Sequence, residues 1–274
     1  MKLKQWSDEA IRRIEAATED DGYSNVRDIV ECVTGWDYRK QRFFADRDID
    51  SYLPALEELM RRRMSGEPLQ YLTGSTGFMH IELKCDKRAL IPRQDTETLC
   101  EAALMRLKRN TKIWDMCCGT GAIGLALASE RNDCSVLLSD ISSDALSLAM
   151  ENAARLQLNN VRFAKGDLFA ACEDRFDMIV CNPPYLTQKD MEELQKEVTY
   201  EPKLALYGGK DGLDFYRRIA SEAAEHLTDR GFLLLEVGAG QAEDVALLLE
   251  KEFDAELIRD INGIERVVCA RKKG

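Results

Sequence analysis

Histidine is almost missing from this 274-residue chain, which carries only His80 and His226. Nine cysteines are present, but no two stand as Cys-x-x-Cys, and Cys117 and Cys118 adjoin at what reads as a buried strand end. That usage excludes a zinc site and a disulfide scaffold. Reduced thiols serving as small apolar residues fit it, and they imply the cytoplasm. Long hydrophobic runs are also missing: stretches such as Phe232-Leu233-Leu234-Leu235 are far too short to span a bilayer. The opening segment, Met1 to Glu9, becomes charged before an apolar core can form, so no secretory signal is expected. Positive charge is the minority sign. The net charge is −11, and acids outnumber bases both before and after residue 75. Proteins that neutralise nucleic-acid phosphates carry a basic face, so a protein partner is favoured over nucleic acid. Arg61-Arg62-Arg63 is the basic cluster that stands out, and reads either as a solvated helix end or as a docking patch.

What is present is a folded chain, 45% hydrophobic and 32% charged, long enough for one ordinary domain plus a smaller one. Residues 1–72 read as a small helical domain. Ile11, Ile14 and Ala17, then Ile29, Val30 and Val33, then Leu53, Leu56, Leu59 and Met60 recur at helical spacing, with breaks at 20–24 and 34–36. Residues 73–93 change character. Gly74, Gly77 and the alternation Phe78-Met79-His80-Ile81-Glu82-Leu83 predict a β-hairpin linker. Residues 94–274 begin with a helix over 98–108, after which strands and helices alternate. Strands are expected at 112–118, 135–141, 161–166, 176–181 and 231–237, with a final pair at 256–260 and 266–271. Helices are expected at 122–130, 143–158, 215–227 and 241–253. Repeated βαβ units of this length imply an α/β, doubly wound, mostly parallel sheet of seven strands. Ligands of such sheets lie at the carboxyl ends of the strands, near the reversal in strand order.

The first strand runs into Asp115-Met116-Cys117-Cys118-Gly119-Thr120-Gly121-Ala122-Ile123-Gly124. Glycines there permit a close ligand approach, yet the same residues spell Gly-x-Gly-x-x-Gly, so a dinucleotide turn is the competing reading. Asp115 tilts the choice. A carboxylate at a buried strand end needs partners; the ammonium of a sulfonium-bearing amino acid would supply them, whereas a pyrophosphate would be repelled. Asp140 ends the second strand about twenty residues on, where a carboxylate accepts from both ribose hydroxyls; a helix N-terminal acid favoured by the dipole is the bland alternative. Asp167 and Leu168, at the end of the third strand, offer a carboxylate near an adenine amino group and an apolar side chain against its ring, or else an ordinary turn.

After the fourth strand comes Asn182-Pro183-Pro184-Tyr185. Two prolines fix the backbone and remove two donors. The Asn182 side-chain oxygen and the Pro183 carbonyl can then act as paired acceptors for the two hydrogens of a planar NH2 group, with Tyr185 as a flat face beside it. An amide nitrogen is a poor nucleophile because its lone pair is delocalised. Holding both hydrogens would aim that lone pair and stabilise positive charge developing on nitrogen. A merely rigid turn is the alternative.

At these residues the chain resembles the class I S-adenosyl-L-methionine-dependent methyltransferases. Asn-Pro-Pro-Tyr is shared by N6-adenine DNA methyltransferases and protein glutamine N5-methyltransferases. Leu90-Ile91-Pro92-Arg93 with Asp95-Thr96-Glu97, Glu201-Pro202, Gly208-Gly209-Lys210-Asp211-Gly212-Leu213, and Leu235-Glu236-Val237-Gly238 with Gln241 resemble the second group, specifically the peptide chain release factor glutamine methyltransferases. The resemblance covers nearly the whole chain. It implies S-adenosyl-L-methionine at Cys117, Cys118, Gly119, Thr120, Gly121, Asp140, Leu168 and Asn182, and substrate at Asn182, Pro183, Pro184 and Tyr185. It also implies a release factor docked with help from the helical domain, and N5-methylglutamine in the factor's Gly-Gly-Gln loop as product. Three residues depart from the family pattern: Gln94 replaces a proline, Cys118 a glycine, and Leu168 an aromatic. The last two fall on the cofactor side, and none touches the acceptor residues. Rival readings are a ribosomal-protein glutamine methyltransferase, an N6-adenine methyltransferase and a nucleotide-binding oxidoreductase.

Overall fold

Apolar stripes at helical spacing form the first part of the chain: α1 (Leu3–Ala17), α2 (Gly22–Thr34), α3 (Tyr38–Phe43), α4 (Leu53–Met64) and α5 (Leu69–Thr73). Leu3, Trp6, Ala10 and Ile14 line the buried side of α1 and share a core with Val26, Ile29 and Val30 of α2 and Leu56 and Met60 of α4. The Asp21 side chain caps α2 by accepting from the Tyr23 and Ser24 amides. Gly35, at φ +70°, ends that helix as only glycine does readily. The computed structural model describes residues 1–18 and 20–274. These fall into two compact units, Met1–Ser75 with Gln195–Tyr200, and Thr76–Leu194 with Glu201–Gly274. The six-residue segment joins the helical unit through Arg63. Its buried guanidinium meets Asn25 Oδ1 at 2.6 Å, Glu197 at 2.6 Å, and the Asp20 carboxylate. A buried guanidinium is tolerable only when paired in this way. Its neighbours Arg61 and Arg62 are ion-paired with Glu58 and Glu67.

A hairpin follows, β1 (Ser75–Phe78) and β2 (Ile81–Lys84). The remaining elements are α6 (Glu97–Leu104), β3 (Lys112–Met116), α7 (Ala122–Glu130), β4 (Ser135–Asp140), α8 (Ser143–Arg155), β5 (Val161–Lys165), β6 (Phe176–Cys181), α9 (Gln188–Glu192), α10 (Asp214–Glu222), β7 (Leu227–Glu236), α11 (Ala242–Leu249), β8 (Phe253–Arg259) and β9 (Glu265–Lys272). Seven strands form one sheet in the order β5-β4-β3-β6-β7-β9-β8, parallel except where β9 runs against β7 and β8. Helices cover both faces, so β3 alternates between two cores. Ile113 packs with Leu99, Leu125 and Leu138 on one side, and Trp114 packs with Ile179, Tyr216 and Leu233 on the other. Chain order reverses between β3 and β6, which opens the crevice at their carboxyl ends.

Several boundaries shift from the sequence expectation. β7 starts at Leu227 rather than 231 because Leu227 pairs with Phe176 ahead of an irregularity in the ladder. That early start ends α10 at Glu222, well short of 227. α6 ends at Leu104 and α8 at Arg155, before the expected 108 and 158. Among the described residues no helix is long and apolar enough to cross a membrane.

Candidate active site

The turn after β3 has three left-handed residues in five positions: Cys117 at φ +59°, Gly119 at +55° and Gly121 at +83°. For Cys117 this conformation costs about 1–3 kcal/mol, the sort of strain found where a backbone is held for a ligand. Gly124 serves the packing instead. A Cβ there would sit 2.8 Å from Asp115 Oδ2, and its absence lets the start of α7 press against β3. Asn152, fully buried on α8, secures the turn by donating to the Thr120 carbonyl at 3.0 Å while bonding the backbone of Lys84.

Asp140 lies across the crevice. Its Oδ2 accepts from the Gly119 amide at 3.0 Å and its Oδ1 from the Ser142 amide at 2.9 Å. Burial nevertheless raises its pKa above the ordinary value. Each carboxylate oxygen keeps a further lone pair, so the group can still accept two hydroxyl donors. Leu168, buried at φ +50°, and Asp167 border the same cleft, and Asp167 is ion-paired with Arg218 at 2.8 Å. The cleft also takes in Cys117, Cys118, Gly119, Thr120, Asn182 and Pro184, and encloses about 1180 Å³, part of it open to solvent.

Asp115 stands apart from this lining. It is fully buried, and its Oδ2 accepts from the Gly124 amide at 2.8 Å, while Oδ1 has no partner. Burial pushes its pKa to about 8. The sequence expectation for this carboxyl is a ligand ammonium as partner, and Oδ1 remains without one in the chain. The structure supplies a backbone amide, because the missing Gly124 side chain lets that N–H reach it.

The acceptor loop is clamped from behind. Pro183 is buried, and Tyr185 is partly so, its pKa pushed to about 12 mainly by burial. The Leu186 amide donates to the Leu206 carbonyl and the Gly208 amide to the Leu186 carbonyl, each at 2.9 Å. A Cβ on Gly208 would lie 2.6 Å from Tyr185 Cα, and one on Gly212 2.3 Å from the Tyr185 carbonyl oxygen. The glycine-rich stretch at 208–213 therefore exists to approach this loop. Asn182 Nδ2 donates to Thr96 Oγ1 at 3.3 Å. Arg93 borders the cleft and pairs with the buried Glu201, whose Oε2 also accepts from the Ile91 amide at 2.9 Å. Glu97 accepts from the Met79 amide at 2.7 Å and so anchors the hairpin.

Thr96, Asn152, Glu201 and Gln241 were not singled out from sequence as site residues. Glu236 was not either, although an acid inside the apolar run Leu233-Leu234-Leu235-Glu236-Val237 carries the same signal that drew attention to Asp115. Among the described residues no group of three or more His, Cys, Asp or Glu could hold a metal ion.

This sheet order, with a strained glycine turn and a proline-braced acceptor loop at the switch point, defines a class I methyltransferase. The Methyltransferase small domain matches residues 94–209, and the PrmC N-terminal domain matches residues 5–74. A methyltransferase from Pyrococcus furiosus superposes with a TM-score of 0.55, covering 70% of this chain and 89% of its own, at 18% identity. The release factor glutamine methyltransferase of Salmonella typhimurium is 39% identical over 99% of both chains, and that of Escherichia coli is 38% identical over the same shares. The chain belongs to the release factor glutamine methyltransferase family.

Proposed function

We propose that this enzyme transfers a methyl group from S-adenosyl-L-methionine to the side-chain nitrogen of the glutamine in the Gly-Gly-Gln loop of a peptide chain release factor. The observation that carries this reading is the setting of Asn182, which borders the cleft with its Nδ2 turned onto Thr96. That orientation leaves Oδ1 free to accept, with the Pro183 carbonyl as the proposed second acceptor. When bound, the cofactor supplies a methyl group on a sulfonium, a leaving group that needs no protonation. Asn182 and Pro183 accept the two amide hydrogens, hold the nitrogen lone pair in line, and stabilise the positive charge that grows on it, after which one of those hydrogens leaves as a proton to solvent. Tyr185 offers a flat face to the acceptor. Asp140 takes the ribose hydroxyls, Leu168 and Asp167 flank the adenine, and the backbone from Cys117 to Gly121 takes the amino-acid portion. Asp115 acts from behind the turn by fixing the start of α7.

The net charge of −11 favours a protein acceptor over nucleic acid, and we assign docking of the factor to the helical unit. Nine free thiols suit the cytoplasm. Offering radiolabelled cofactor with release factor, ribosomal protein and DNA in parallel tests this. Label is expected in the release factor alone and lost when its Gly-Gly-Gln glutamine is replaced by alanine. Label in DNA, or in the alanine-substituted factor, contradicts the assignment.

A further inference from the structure

The Asn182 side chain can serve as an acceptor only if its amide is turned the right way round, and an amide has nearly the same shape in both orientations. Something behind it must distinguish oxygen from nitrogen. β6 and β7 are parallel, with Cys181 opposite Leu235. The next rung places Asn182 beside Glu236, at the carboxyl ends of both strands. Glu236 is 2% exposed, and its Oε2 has no hydrogen-bond partner in the chain. Thr96 and Asn182 lie close enough to the carboxylate to lower its pKa, and Asn182 gives Nδ2 to Thr96 at 3.3 Å. Arg266, from β9, faces the carboxylate but is shared with Asp95 at 2.9 Å and Asp260 at 3.3 Å.

We propose that Glu236 is the positioning residue of the acceptor site, its carboxylate accepting from Asn182 Nδ2 so that Asn182 Oδ1 is turned toward the substrate amide. The assignment rests on the proposed role of Asn182. A carboxylate can only accept hydrogen bonds, so it selects the NH2 end of the neighbouring amide. Thr96 completes the selection by accepting from the same nitrogen while leaving its hydroxyl hydrogen for Glu236. Protonation removes this selection, because the acid keeps an acceptor oxygen and gains a donating hydroxyl, so either amide orientation is satisfied.

Burial pushes the Glu236 pKa to about 7, against the lowering effects of Thr96, Arg266 and Asn182. The other titratable groups around it are Asp95 before α6, Cys100 on α6, Tyr216 on α10 and Tyr185 on the acceptor loop. The two tyrosines and the cysteine all have raised pKa values, which leaves them neutral through the range where Glu236 ionises.

The test is the pH profile of kcat/KM for a release factor, which reports groups of the free enzyme, taken from about pH 5.5 to about 8.5 on wild type, Glu236→Ala and Glu236→Gln, with cofactor affinity measured by calorimetry. Wild-type kcat/KM should rise with pH and level off above about 7. Glu236→Ala should lose roughly 10–100-fold, the size seen when the outer partner of an active-site ligand is removed, with cofactor affinity unchanged. Glu236→Gln carries no titrating proton and, like the protonated acid, both donates and accepts, so it should stay near the low-pH wild-type rate throughout and lose the inflection. A flat wild-type profile, an inflection that persists in Glu236→Gln, or either variant at the high-pH wild-type rate with cofactor still bound would each overturn the assignment. Should either variant lose cofactor binding through misfolding, the wild-type profile decides. Failure of wild type to label any release factor would instead sink the proposed function, so the two failures are distinct.

Discussion

The side chain of Gln241 bridges the end of β7 to the acceptor loop. Its Oε1 accepts from the Gly238 amide at 2.9 Å, and its Nε2 donates to the Tyr185 carbonyl at 3.1 Å. That carbonyl is also the atom a side chain at Gly212 would strike. The acceptor loop is thus held by a glutamine on one side and by the absence of a Cβ on the other.

Gly212 and Gly74 share a φ of +77°, yet only Gly212 is crowded, with nothing within 4 Å of a Cβ at Gly74. Alanine at either position meets the left-handed penalty of roughly 1–2 kcal/mol. Gly74→Ala should therefore lower thermal stability modestly and leave the transfer rate unchanged. Gly212→Ala must in addition displace Tyr185, and should slow methyl transfer at least about 10-fold, in keeping with the sensitivity of rate to small misplacements. Steady-state rates alongside melting curves separate the two.

Asp140 accepts two backbone amides and keeps lone pairs free toward the cleft. Asp140→Ala should weaken cofactor binding by about 1.5–3 kcal/mol, the range for hydrogen bonds to a charged group. Calorimetry reads this directly; equal affinity would remove Asp140 from the cofactor site.

Asp115 gives a pH prediction with a definite sign. Its folded pKa is raised from 3.8 to about 8. Through that window the folded state holds a proton that the unfolded chain has released, so the group's contribution is fully present at low pH and fades as pH rises. The slope from one such group is at most about 1.4 kcal/mol per pH unit. Glu236, raised from 4.5 to about 7, adds a slope of the same sign over a narrower range. Asp115→Asn should flatten the decline seen in wild-type denaturation midpoints, most visibly between about pH 7 and 8, after most of the Glu236 contribution has faded and before the buried thiols add theirs. An undiminished slope would show that Asp115 is ionised when folded.

Much of this was legible in the residues. Parallel strands buried on both faces read as apolar runs, which is why β6 matches its expected limits and β3 to β5 differ only at their ends. The cleft residues Cys117 to Thr120, Asp140, Leu168 and Asn182 were legible because turn chemistry and strand-end acids are local signals. Residues whose meaning depends on a distant partner were not. Thr96 reads as an ordinary helix start until it is seen beside Asn182, and Glu201 reads as a surface acid until it is seen beneath Ile91 and Arg93. The membership of Gln195–Tyr200 in the helical unit depends on Arg63, more than a hundred residues earlier. The Gly124 amide as a partner of Asp115 was not legible for the same reason: a close approach of helix to strand has no sequence signature beyond one glycine.

In the proposed reaction Asn182 grips the hydrogens of the acceptor amide. Single-turnover methyl transfer to a release factor by Asn182→Ala, at saturating cofactor and with cofactor affinity measured in parallel, tests it most directly. The rate should fall by roughly 10² or more, as for loss of a preorganised polar group, with the cofactor still bound. A variant that transfers methyl at the wild-type rate would contradict it.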